Sequence, residues 1–185
     1  MNVWANATLT IKGRALLAKL TQGNTLDITD AVTGAGFVEI EDPNDPVELR
    51  FQTAVSDPKQ HLKAKPVSYP DTGRCDLPLI LTNEGLETGY EARQVGVFAT
   101  DPDDGEILFL IAQSVDADTG THIPSETEMP GYSAEWVFRL QYGQADGVHV
   151  TVDPSNTISP EELEVYLKEY LVPITHEQIK ALFSA

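Results

Sequence analysis

Two short acidic segments of this sequence resemble a metal-binding site more than any other part of it does. Asp101-Pro-Asp-Asp-Gly-Glu106 and Asp116-Ala-Asp-Thr-Gly120 each cluster carboxylates, the ligands that a hard cation such as calcium prefers. Their spacing does not fit an EF-hand loop, because the glycine stands at the fifth position instead of the sixth and no glutamate follows at the required distance. Aspartate and glycine also favour turns. We therefore interpret both segments as turns and predict no metal-binding residue.

The other reactive side chains are scattered along the chain. The histidines are far apart, and none belongs to a two-histidine metal motif: His61, His122, His149 and His176. Cys75 follows Arg74, but the sequence shows no neighbouring base, and a lone cysteine is more often a core residue. We predict no catalytic residue, no cofactor and no enzymatic activity. A glycan hydrolase that uses two of the many carboxylates is the enzymatic alternative.

Three aromatic residues suggest a binding function instead. Trp4, Tyr132 and Trp136 would form a carbohydrate-binding surface if their rings were exposed to solvent. The same rings could equally anchor the core of the domain. Both interpretations stay open at the level of the sequence.

Composition limits the remaining classes of function. The 185 residues contain 12 basic and 29 acidic side chains, which gives a formal net charge of −17, and such a field repels nucleic acid. The segment from Gln94 to Phe138 holds nine acidic residues and no lysine or arginine. A single cysteine excludes an internal disulfide, and the longest apolar run is far shorter than the roughly 18 residues of a membrane helix. The N-terminus shows no signal-peptide pattern. We expect a cytosolic protein, unless a larger particle carries it out, that contacts neither nucleic acid nor the membrane interior.

Hydrophobic periodicity predicts one helix followed mainly by strands. The helix spans Thr8 to Gly23, with Gly13 as a weak point in its interior. A hairpin is predicted from two strands joined by the Asp101–Gly105 turn, and both of its faces are apolar, so it is buried inside the domain or against a neighbouring subunit. The predicted strands are Thr25–Thr29, Phe37–Ile40, Val47–Phe51, Cys75–Leu81, Ala92–Ala99, Glu106–Gln113, Ala134–Tyr142 and Gly147–Val152.

The C-terminal part of the chain differs from the rest. Ser159-Pro-Glu-Glu162 carries the capping residues of a helix start, and Pro173 ends that helix before a short second one. Apolar residues at helical spacing form the candidate partner-binding surface: Leu163, Tyr166, Leu167, Tyr170, Leu171, Ile179, Leu182 and Phe183. The sequence thus predicts two parts, residues 1–152 and a helical appendage at 153–185. The predicted fold class is α+β, with an N-terminal helix, a mainly antiparallel β domain around a central hairpin, and a short helical C-terminal appendage.

A longer stretch carries a family resemblance. The residues from Leu81 to Gln113, which include the run Glu84-Gly-Leu-Glu-Thr-Gly-Tyr-Glu-Ala-Arg-Gln-Val-Gly-Val97, are similar to the signature of one family. Upstream, Arg14–Gly23 and Gly34–Gly36 resemble the opening helix and first turn of the same family. That family is the N-terminal domain of phage tail fibre, or tail-collar fibre, proteins. The resemblance covers roughly residues 5–152.

The resemblance implies a structural component of a phage tail or of a phage-derived contractile particle. Such a protein attaches a fibre or peripheral element to the baseplate, is homotrimeric, and has other baseplate or tail-fibre proteins as partners. Its location would be the virion or the phage-derived particle, assembled in the bacterial host cytoplasm. The family continues into a shaft and a receptor-binding tip, whereas only two short helices follow Val152 here. This difference favours an adaptor or peripheral role, and a receptor-recognising carbohydrate-binding module is the alternative.

Overall fold

A computed structural model describes residues 4–20, 26–64, 67–69, 74–143 and 147–153 of the chain. The chain divides into two units, Met1–Pro154 and Ser155–Ala185. The second unit lies outside the described residues. The predicted helical appendage and its apolar stripe therefore stay predictions.

Antiparallel β-structure dominates the described residues. In chain order the elements are β1 (Thr8–Leu9), α1 (Ile11–Leu20), β2 (Ile28–Gly34), a 3₁₀ helix (Val47–Phe51), β3 (Pro58–His61), β4 (Lys63–Ala64), β5 (Val67–Tyr69), β6 (Arg74–Thr82), β7 (Tyr90–Ala92), β8 (Gln94–Asp101), β9 (Gly105–Gln113), β10 (Thr121–Ile123), β11 (Ser133–Gly143) and β12 (Gly147–Asp153). Within the described ranges α1 is the only α-helix. The predicted α+β class is therefore wrong: one short helix lies beside a mainly antiparallel β domain.

The strands form two five-stranded sheets and one small ribbon. The first sheet has the order β1-β9-β8-β2-β3. The second has the order β12-β11-β6-β4, with β5 also paired to β6, and β7 pairs with β10. One apolar cluster contains residues of both sheets, among them Val97 and Phe109 from the first and Leu79 and Trp136 from the second. The two sheets therefore share a core.

The predicted central hairpin is confirmed as β8 and β9. Gly105 closes its turn with a φ of 75°, a backbone conformation that glycine adopts without strain. Every residue from Ile107 to Gln113 is buried. Phe109 and Leu110 lie in the shared core, whereas Leu108 and Ile111 belong to a second apolar cluster. The chain itself therefore covers both faces of β9, as the intramolecular interpretation of this hairpin requires.

Helix α1 is shorter than predicted and rests directly on the hairpin. Thr10 caps it, because the Gly13 backbone N–H donates to Thr10 Oγ1 at 2.9 Å. The Thr10 backbone N–H donates in turn to the Phe109 carbonyl oxygen at 3.1 Å. A Cβ atom on Gly13 would lie only 1.9 Å from that same oxygen. The glycine that weakens the helix in sequence terms is thus the residue that lets α1 approach β9.

Besides the two strands of the hairpin, three predicted strands are confirmed, and three others differ from the structure. The strands predicted at 75–81, 134–142 and 147–152 correspond to β6, β11 and β12. Thr25–Thr29 overlaps only the start of β2, and Phe37–Ile40 forms no regular element. Val47–Phe51 alternates in polarity like a strand, yet it forms the 3₁₀ helix, in which only Leu49 is fully buried. Val47 and Phe51, which a strand would place on the same face as Leu49, remain exposed.

Candidate functional site

The acidic turn at 101–106 is occupied by intramolecular contacts. The Asp101 carboxylate accepts hydrogen bonds from the backbone N–H groups of Asp103 at 2.8 Å and Asp104 at 3.1 Å. Lys19 Nζ on α1 lies 2.7 Å from Asp101 Oδ1 and 2.7 Å from Asp103 Oδ2. These contacts, led by the Lys19 hydrogen bond, hold the pKa of Asp101 below its ordinary value, and they raise the pKa of Lys19. The turn therefore fastens α1 to the tip of the hairpin.

The second acidic segment is a turn of the same kind. Asp116 Oδ1 accepts hydrogen bonds from the backbone N–H groups of Asp118 at 3.0 Å and Thr119 at 2.8 Å. This geometry is that of an aspartate side chain which closes its own turn. Across the residues that the structure describes, no group of three or more histidine, cysteine, aspartate or glutamate side chains is arranged to hold a metal ion.

Two histidines form separate side-chain contacts with carboxylates on the surface. His61 Nδ1 lies 2.7 Å from Asp30 Oδ2. His122 Nδ1 lies 2.7 Å from Glu91 Oε1, and this hydrogen bond is the largest cause of a raised His122 pKa. The histidines thus tie neighbouring strands together and do not converge. The side chain of His149 and the whole of His176 lie outside the description.

Cys75 is half-buried on β6, less enclosed than a core thiol. Its Sγ contacts the Asp76 carbonyl oxygen at 3.8 Å. No general base contacts the sulfur in the described part of the chain. Among the described residues, Cys75 therefore belongs to no nucleophile–base pair.

The two tryptophans belong to the core and not to a carbohydrate-binding surface. Trp4 and Trp136 are 2% and 1% exposed, and their ring centroids lie 6.0 Å apart with planes at 77°. This edge-to-face packing is favourable for aromatic rings. Tyr132 is half-buried, and burial raises the pKa of its hydroxyl. Of the three predicted rings, none is fully accessible for stacking on a sugar.

A pair of buried glutamines was not predicted from the sequence. Gln94 and Gln113 face each other in the register of the hairpin, and both are fully buried. Gln94 Nε2 donates to Gln113 Oε1 at 2.7 Å, and Gln113 Nε2 donates to the Val38 carbonyl oxygen at 2.7 Å. The Val38 backbone N–H donates to Gln113 Oε1 at 2.9 Å, and the Ser56 backbone N–H donates to Gln94 Oε1 at 2.7 Å. The two side-chain amides therefore bond to backbone groups of two loops, as a neighbouring strand would otherwise do. In the sequence, the one sign of this pair is a glutamine at one end of each apolar strand.

Asn83 has a similar structural role beyond β6. It is 1% exposed, and its Nδ2 donates to the carbonyl oxygens of Pro124, Ser125 and Met129 at 3.1, 3.1 and 2.8 Å. A single amide thus holds the loop between β10 and β11. The buried polar side chains of the 81–113 stretch are used to fix backbone segments.

An exposed apolar residue stands out beside a shallow cleft. Phe51, at the end of the 3₁₀ helix, is 66% exposed, and Ile11 at the start of α1 is 52% exposed. Lys12 and Gln52, the residues that follow them in the chain, line a cleft of about 160 Å³ together with Thr53, Glu106, Ile107 and Leu108. We call Ile11, Glu48, Phe51 and this cleft the Phe51 patch. Sequence reasoning missed it because strand alternation places Phe51 in the core.

The predicted partner-binding residues from Leu163 to Phe183 lie outside the described residues. Among the described residues, none of the helices could span a lipid bilayer. Comparison of the chain with protein-family models, curated proteins and solved structures gives no match.

Proposed function

We propose that this chain is a structural component of a phage or phage-derived contractile tail that attaches a fibre or peripheral element to the baseplate. The observation that carries the proposal is that the buried polar side chains between Leu81 and Gln113 hold loops of the domain in place. Asn83, Gln94 and Gln113 are buried, and each donates a hydrogen bond that holds a loop or its neighbouring amide. The stretch that resembles tail-fibre attachment domains thus acts as a framework, as an attachment role requires.

The other functional classes have less support. An enzyme needs reactive groups that converge on a cleft. The cleft beside Phe51 is lined by one lysine and one glutamate, with no histidine or cysteine. A carbohydrate-binding module needs accessible rings, and Trp4 and Trp136 are buried in the core. We therefore propose a non-enzymatic assembly protein with other baseplate or tail-fibre proteins as partners, homotrimeric as the family resemblance implies.

Purified particles provide the test of this function. The chain would carry a small epitope tag and be expressed in the bacterium that encodes it, and contractile particles would be isolated on a density gradient. We expect the tag to co-sediment with the particles and to be visible at the baseplate by immunogold electron microscopy. A wild-type chain that stays entirely outside the particle fraction would contradict the proposal.

A deletion tests the predicted C-terminal partner surface separately. Removal of residues 159–185 takes away the whole apolar stripe and leaves every described residue in place. We expect the shortened chain to be lost from the particles while light scattering shows the same oligomeric state as the full chain. Full incorporation of the shortened chain would show that residues 159–185 are not the docking element.

A further inference from the structure

The 3₁₀ helix carries a carboxylate and an aromatic ring three residues apart. In such a helix residues i and i+3 eclipse each other, so Glu48 and Phe51 lie on the same side. Leu49 is fully buried and fixes the orientation of this helix. Glu48 Oε2 is shielded from solvent and accepts no hydrogen bond. A carboxylate oxygen that is shielded from water and accepts no hydrogen bond is unfavourable. If the carboxylate turned outward to pair with a cation, this unfavourable contribution would be removed.

The cations nearest to the patch are already paired. Lys12 Nζ lies 2.8 Å from Asp104 Oδ2, and Arg50 forms an ion pair with Asp45. Glu106, which lines the cleft, accepts a hydrogen bond from the Thr29 hydroxyl at 2.7 Å. Among the described residues neither Glu48 nor Glu106 has a cationic partner. The patch therefore combines an exposed ring with two carboxylates that have no cationic partner among the described residues.

We propose that the Phe51 patch binds a short basic segment of a partner protein. An arginine of that segment stacks on the Phe51 ring and pairs with Glu48, while an apolar side chain enters the cleft toward Ile11. A guanidinium group suits this position because it combines cation–π stacking with hydrogen bonds to a carboxylate. The inference rests on the proposed function, since it names the kind of partner that an attachment protein would bind here.

A second copy of this chain fits the patch poorly. Each copy carries a net charge of −17, and two copies that met at Glu48 and Glu106 would bring like charges together. The area is also small. A phenylalanine side chain offers about 150–250 Å², so one exposed ring and one isoleucine supply far less than the roughly 800 Å² per partner of a standard interface. Charge and area both favour a short cationic segment over a domain-sized partner.

Selection from a random peptide library identifies the class of ligand directly. The full chain would be immobilised at low ionic strength, and selected peptides would be synthesised and measured by fluorescence anisotropy. We expect the peptides to be cationic and to contain arginine. Phe51→Ser should weaken their binding on the order of thirtyfold, the loss typical of a central aromatic anchor. Glu48→Gln should weaken it several-fold and reduce its dependence on salt.

A matched variant controls for nonspecific attraction to an acidic protein. Met129 is 54% exposed, and Met129→Ser removes a comparable apolar side chain from another loop. We expect this variant to bind the selected peptides as the wild type does. Selected peptides without basic residues, or equal binding by the Phe51→Ser and Met129→Ser variants, would overturn the inference. A wild-type dimer that Phe51→Ser converts to a monomer would also overturn it, because the occupant would then be a second copy.

The particle assay separates this inference from the proposed function. If wild-type chain enters particles and the Phe51→Ser and Glu48→Gln variants enter equally well, the patch inference fails while the attachment function stands. If wild-type chain never enters particles but peptide binding depends on Phe51 and Glu48, the attachment function fails while a basic-segment site stands.

Discussion

The substitution Gly13→Ala tests whether α1 is seated on the hairpin as described. In an ordinary helix this change stabilises the protein by about 1 kcal/mol. Here the new Cβ would lie 1.9 Å from the Phe109 carbonyl oxygen, whereas ordinary contact begins at 3.4 Å. The helix must therefore move by roughly 1.5 Å, the difference between these two distances. Overpacking of this kind costs about 1–3 kcal/mol, and the loss of the Thr10–Phe109 hydrogen bond adds about 1 kcal/mol.

The net expectation is a loss of about 1–3 kcal/mol in the free energy of unfolding, after the helix-propensity gain is subtracted. This loss can be measured by urea denaturation, with the fluorescence of the buried Trp4 and Trp136 as the signal. Ala15→Gly, at an exposed position of α1, is the control, and we expect it to lose only the propensity term of about 1 kcal/mol. If Gly13→Ala equals or exceeds the wild type in stability, the close approach of α1 to β9 is refuted.

Three further predictions concern buried amides and one surface histidine. Gln113→Leu leaves the Val38 N–H and C=O groups without partners, and we expect urea denaturation to show a loss of about 3 kcal/mol. Asn83→Asp places a carboxylate against three carbonyl oxygens, so its thermal midpoint should fall by more than that of Asn83→Ala. His122 has a pKa raised above 6.5 by Glu91, so its ion pair stabilises the protein fully below pH 6.5, and this contribution is lost as pH rises through the raised value. Urea midpoints measured across neutral pH should show this decline in the wild type and a smaller one in His122→Gln.

The sequence predicted the hairpin well because local and long-range preferences agree there. Asp101–Gly105 has strong turn chemistry, and the flanking runs are rich in β-branched and aromatic residues. The fold class was wrong because a recognisable helical period near the N-terminus covers only ten residues in the structure. Thr8 and Leu9, which lie in the predicted helix, pair instead with Ile111 and Leu110 of β9. No local pattern in the first ten residues encodes a partner so distant in the chain.

The candidate site was harder to predict than the fold. Val47-Glu-Leu-Arg-Phe51 fits strand alternation as well as any segment, and only its place beside β1 and β9 leaves Leu49 alone in the core. The 3₁₀ conformation, and not the residue type, leaves the Phe51 side chain exposed to solvent. The sequence did not predict the buried glutamines for another reason. Polar residues at strand ends are usually solvated, and the burial of Gln94 and Gln113 depends on loops that pack over them.

The pairing of β1 with β9 has a consequence for synthesis of the protein. Thr8 and Ile111 are register partners, so about 100 residues must leave the ribosome before the N-terminal strand can dock, a delay of about 5–20 s at ordinary rates of translation. Until then Trp4, Leu9 and Leu16, all buried in the finished domain, have no hairpin to cover them. The first sheet therefore closes only after β9 is complete, and until then we expect these apolar side chains to be accessible to chaperones.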